Sequence, residues 1–244
     1  MAQAPIDSEA RYIHGVRADD DHWTDAWNFS LGGTRGSIGL LNSVESHATP
    51  YMVDLDILAG APDAWPPMFL SGFMVTLRLG AIVRAGGRIG HGVPPYATKW
   101  AAPERQAQVL RAADRELALE AGRRKHAPSA PSRLCCIWLA ENTVPGRAWV
   151  QKLVGPQSFI MQVRVARMLT WCRCDAHWLD LVHADPDDES AVMGYWSGQA
   201  CSDEPLLWEY MLEGQIEAED ADELQRLRDF IRIQGPPADL RAKP

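Results

Sequence analysis

The chain has 244 residues, 46% of them apolar, enough for a sizeable hydrophobic core and too apolar for global disorder. Its formal net charge of −8 argues against a protein that coats nucleic acid by broad electrostatics. No run of about 18 apolar residues is present, so no membrane span is expected, and MAQAPIDSEARY lacks the basic start and apolar stretch of a secretory signal.

The first element in chain order is ARYIHGVR (10–17), read as a short strand. FSLGGTRGSIG (29–39) is glycine-rich but carries neither a G-x-x-x-x-G-K-[ST] motif nor a strand-borne G-x-G-x-x-G. It therefore reads as a mobile loop and not as a phosphate cradle. APDAWPP (61–67) and GVPPY (92–96) are turn-rich, and MFLSGFMVTLRLGAIVRAGG (68–87) between them reads as a buried helix or two strands, with Arg78 and Arg84 embedded. From Pro103 to about Arg124 a helix is expected. Pro103 suits its first turn, Gly122 its end, and Val109, Leu110, Ala113, Leu117 and Ala121 recur at helical spacing. RRKHAPSAPSR (123–133) reads as a solvated basic connector.

The pattern then turns to strands. LCCIWLA (134–140) and SFIMQVRVA (158–166) read as strands, with TVPGRAWVQKL (143–153) a short helix between them. HADPDDES (183–190) reads as an acidic loop and EPLLWEYMLEG (204–214) as another strand. DADELQRLRDFIRI (220–233) closes the chain as a helix with Leu224, Leu227, Phe230 and Ile231 on one face. No internal repeat is found. Strands dominate the second half and helices flank them, so the class is α+β.

The five cysteines, Cys135, Cys136, Cys172, Cys174 and Cys201, are odd in number and clustered in pairs. That is the usage of reduced thiols in a cytoplasmic protein and not of a disulfide framework. Cys172, Cys174 and His177 form a C-x-C-x-x-H with no clear fourth ligand. They read as small buried thiols of a strand, and no metal is expected.

Glu209 is the anomaly. It interrupts the apolar run of Leu206, Leu207, Trp208, Tyr210, Met211 and Leu212, and an unpaired carboxylate in such a strand is costly. Strand alternation could turn it to solvent, opposite Trp208 and Tyr210; otherwise it needs a function.

Three stretches stand out in order: His14-Gly15 on the first strand, Ile137-Trp138-Leu139-Ala140 on a strand followed by a helix with Ala148 and Trp149, and Trp208-Glu209-Tyr210 on the late strand. Together they resemble the ADP-ribosyltransferase superfamily in its diphtheria-toxin and poly(ADP-ribose) polymerase-like branch. The likeness covers about 30 residues in three islands. Val16 stands where that branch has Ser or Thr, Trp138 where it has Tyr, and the interval from His14 to Trp138 is unusually long.

The resemblance implies a single domain over 1–244 with a split antiparallel β core, flanking helices and a large helical insertion at about 30–130. It implies NAD as co-substrate and transfer of ADP-ribose to an unidentified acceptor, such as a protein, nucleic acid or small molecule, as in a bacterial-type effector or toxin. His14, Gly15 and Arg17 would bind the cofactor, Trp138 would stack on the nicotinamide, and Glu209 would hold the ribose 2′-hydroxyl and stabilise developing positive charge. A rival within the superfamily uses an arginine, Arg11 or Arg17, with Glu217-Ala218-Glu219. Beside Asp220 and Asp222, however, these glutamates read as the acidic first turn of the last helix. A non-catalytic binding module of the same fold is the alternative from another functional class.

Overall fold

The computed structural model describes residues 11–17, 37–40, 53–60, 72–91, 99–100, 102–202 and 207–234. The class is α+β. The chain divides into two compact units: a mostly helical one from 41–136 and 172–206, and a sheet unit from 2–40, 137–171 and 207–244. The region expected as an insertion, about 30–130, lies largely in the helical unit, which also takes in 172–206. The turn-rich APDAWPP and GVPPY, and most of the glycine-rich 29–39, fall outside the described residues. Ser37–Leu40 at its end form a strand.

The sheet unit contains β1 (Tyr12–Arg17), β2 (Ser37–Leu40), β5 (Ile137–Glu141), β6 (Ser158–Asp175, whose last residues pass into the helical unit) and β7 (Trp208–Ala218), with α4 (Val144–Val154) and α7 (Ala221–Gln234). The five strands form one sheet in the order β2-β7-β5-β1-β6, antiparallel at each pairing of known register. β6 also pairs with β7, so the path β7–β5–β1–β6 returns on itself. Gly214 permits that return: a Cβ there would lie 2.2 Å from the Arg167 carbonyl oxygen of β6.

Alternation along these strands gives two cores. Tyr12, Val16, Ile137, Leu139, Met161, Val163, Tyr210 and Leu212 pack with Leu227 and Ile231 of α7. A fully buried Leu or Ile is worth about 1.5–3 kcal/mol, which makes this helix face the anchor expected from its spacing. Ile13 and Ala140 point the other way, against Val150 and Val154 of α4. Gly15 lets α4 approach, since a Cβ would come within 2.6 Å of Val154.

The helical unit contains α1 (Leu55–Gly60), α2 (Gly72–Arg84), the short strands β3 (Gly90–His91) and β4 (Lys99–Trp100), α3 (Pro103–His126), α5 (Trp178–Ala184) and α6 (Glu189–Trp196). Of residues 68–87, those described form one helix, Gly72–Arg84, followed by a turn. The α3 helix runs as expected, but its buried face is not the purely apolar one. Glu116, Glu120 and Arg123 lie buried beside Val109 and Ala113. Glu116 accepts from Arg133 Nε at 3.0 Å and from Arg115 at 2.8 Å. Glu120 accepts from Arg123, Arg124 and the Ser132 hydroxyl. Arg133 also donates to the Tyr195 hydroxyl, and its guanidinium lies over the rings of Tyr195 and Phe73.

The connector 123–133 is therefore solvated only in its middle, at Lys125, His126, Pro128 and Ser129, and not at its ends. Arg123, Ser132 and Arg133 are buried, because pairing removes the cost of desolvating their charges. LCCIWLA begins with a tight 3-10 turn at Arg133–Cys135, and the strand proper starts at Ile137. The acidic stretch 183–190 ends one helix and starts another, with Asp188 capping the Ser190 and Ala191 amides of α6.

Candidate functional site

The site is built on β5 and β7, with α4 over one face. The register sets Ala140 opposite Glu209 and Trp138 opposite Met211. Side chains of paired residues share a face, so Trp138 and Glu209 are diagonal neighbours on the face that α4 covers. Glu209 does not face solvent. It is 1% exposed, because β7 is buried on both faces. Trp149, on the inner side of α4, donates its indole N–H to Glu209 Oε1 at 3.2 Å. Thr143 sets the start of that helix by accepting from the Gly146 amide, and Pro145 lies in its first turn. At this burial a substrate reaches the carboxylate only by moving the side chains above it.

His14 arrives by a different route. Its position in β1 has the parity of Tyr12 and Val16, which face the α7 core, and not that of Ile13. It meets β5 through the backbone: His14 Nδ1 lies 2.8 Å from the Trp138 carbonyl oxygen. Among the described residues the β1–β5 ladder contains only Tyr12↔Glu141 and Ile13↔Ala140, whereas β1 continues along β6 through Arg17↔Ser158. The Asn142 amide bonds the Arg11 carbonyl. Antiparallel alternation would next bring the Gly15 amide to the Trp138 carbonyl. The His14 ring occupies that carbonyl instead, at the point where β1 and β5 part.

A carbonyl only accepts, so Nδ1 carries the hydrogen and Nε2 is the acceptor nitrogen of the neutral ring. Burial holds the imidazole below its ordinary pKa, and the Trp138 hydrogen bond offsets this only in part.

The structure thus joins Glu209 and Trp149 by side chain, sets Trp138 diagonal to Glu209 by register, and brings His14 to the Trp138 backbone. Gly15 packs against α4. Val16, standing where a hydroxyl was expected, is core. Arg17 ends β1 opposite Ser158, and its side chain lies outside the described residues.

The rival glutamates are not in a helical first turn. Glu217 belongs to β7, and the last helix starts only at Ala221, where Asp220 accepts from the Glu223 amide. Glu217 accepts from Arg164 at 2.6 Å, and Glu219 lies 3.7 Å from Arg11. An open pocket of about 520 Å³ is lined by Arg164, Glu217, Glu219, Asp220 and Leu224, among others.

Glu213, not expected as a site residue, is fully buried in β7. Its signal in the sequence is a glutamate at every fourth position, 209, 213 and 217, of a run that is apolar apart from these and Gln215.

Cys172 and Cys174 are buried at the end of β6, and His177 Nδ1 bonds Asp175 at 2.8 Å. Among the described residues no group of three or more His, Cys, Asp or Glu side chains could hold a metal ion. Among them, too, no helix is long and apolar enough to cross a membrane.

A family model described as "Protein of unknown function (DUF2441)" matches residues 98–223, just over half of the chain. The chain belongs to the DUF2441 family. The DUF2441 span includes Trp138, Trp149, Glu209, Glu213 and Glu217, and leaves His14 outside it. No curated protein matches the DUF2441 chain.

Proposed function

We propose that the protein binds NAD and transfers ADP-ribose to an acceptor, with Glu209 as the catalytic carboxylate. The observation that carries the reading is a sealed carboxylate in the middle of the sheet, diagonal to Trp138 and held by the Trp149 indole. Desolvating such a charge costs several kcal/mol, roughly, and a dry carboxylate is most effective opposite positive charge that develops during reaction.

The residue types at the site support NAD as the co-substrate. A flat indole suits the nicotinamide ring, and a carboxylate suits a ribose hydroxyl. NAD would supply the glycosidic bond between ribose and a nicotinamide leaving group. Trp138 would then orient the ring, and His14, on the opposite face of the sheet, would act only through its bond to the Trp138 carbonyl where β1 leaves β5. Glu209 would bind the 2′-hydroxyl, stabilise positive charge on the ribose and orient the acceptor.

The test is nicotinamide release from NAD, with cell lysate as the acceptor source. Glu209→Gln should lose about 100- to 1,000-fold in kcat, the scale for removing a group that acts on transition-state charge. Its circular dichroism should match wild type. Wild-type protein that binds NAD without turnover would mark a binding module instead.

The pocket at Glu217 and Glu219 favours a second reading, in which those glutamates do the chemistry. Full activity in Glu209→Gln with loss in Glu217→Gln would decide for it.

A further inference from the structure

We propose that Trp149 is the positioning residue of this site: its indole N–H fixes the Glu209 carboxylate in the orientation that the transfer step needs. The inference rests on the reading of Glu209 as the catalytic carboxylate. A glutamate side chain has three rotatable bonds, and its carboxylate turns freely about the last unless a partner holds an oxygen. Trp149 Nε1 lies 3.2 Å from Oε1. The two residues are brought together by different elements, α4 and β7.

The indole is itself restrained. Lys152, one turn along the same helix, places its ammonium 5.2 Å from the centre of the Trp149 ring, within cation–π range. On the inner side, Val150 and Val154 pack the helix against Ile13 and Ala140. Trp149 therefore sits on a helix whose position is set by core contacts, and it transmits that position to the carboxylate through one directional bond. A residue that only filled space would need no donor. Phenylalanine would serve there equally well.

The measurement is steady-state nicotinamide release from NAD by wild type, Trp149→Phe and Trp149→His, with circular dichroism of each and NAD affinity by calorimetry. Trp149→Phe keeps an aromatic ring and loses the donor. Its kcat should fall about tenfold to a hundredfold, the range for a hydrogen bond to a charged group. NAD affinity should stay within about twofold, because the bond orients a reacting group and does not hold the cofactor. Trp149→His restores a ring N–H and should recover part of the lost kcat. Wild-type kcat in Trp149→Phe, or a loss confined to NAD affinity, overturns the proposal and leaves Glu209 in its role. A wild-type chain that releases no nicotinamide overturns both.

Discussion

Replacing Glu116 by Gln tests how the helical unit tolerates its buried charges. The substitution keeps the shape and removes the charge that faces Arg133, whose side chain is only 3% exposed. Arg133 would keep the Tyr195 hydroxyl and two aromatic faces and lose the Glu116 carboxylate. Breaking a buried pair by removing one partner costs about 3–5 kcal/mol. The amide oxygen of Gln can still accept one bond, so the lower end applies, about 3 kcal/mol.

For a unit of this size that is a drop of roughly 10 °C in Tm, read by far-ultraviolet circular dichroism at neutral pH. The double variant Glu116→Leu, Arg133→Met should recover most of it, because an apolar pair of similar volume pays no desolvation. Burial pushes the Glu116 carboxyl up, but Arg133 and Arg115 outweigh this and hold it below the usual value of 4.5. The pair's contribution is therefore present above that value and is lost as pH falls through the lower folded pKa. The acid limb of the melting curve should flatten in Glu116→Gln. A Tm change below about 2 °C in the single variant would refute the reasoning, since the pair would then carry no net energy at this burial.

Two further outcomes concern the sheet unit. His14 has a folded pKa below its ordinary 6.5, so its contribution to stability is full above that value and falls as pH drops from there through the folded pKa. Urea titrations of wild type between about pH 7 and 5 should lose stability over that window, and His14→Gln should remove the His14 share of the slope. Gly214→Ala would put a methyl 2.2 Å from the Arg167 carbonyl oxygen. It should cost about 1–3 kcal/mol by forcing β6 and β7 apart, measured as a lower urea midpoint; an unchanged midpoint would mean that the two strands do not approach this closely.

Much of the element order was legible from local pattern. The Pro103 helix, the strand with Trp138, the helix after it and the closing helix all follow from periodicity and caps that lie within a few residues of one another. Leu227 and Ile231 are buried on the face that their spacing indicates. The helices on either side of Asp185 were less legible, because a dense acidic run looks like a loop until Asp188 is seen to cap the next helix.

The sequence by itself determined where charged residues interrupt apolar runs, and so where a physical explanation was owed. Only the tertiary structure decided what became of them. Alternation alone allowed Glu209 to face water, but β7 is covered on both faces and the carboxylate is met by an indole 60 positions away. Glu116 and Arg133, 17 positions apart, are buried because they are buried together. The cost of placing a charge in a protein depends on its partner, and partners this distant in the chain leave no trace in local periodicity.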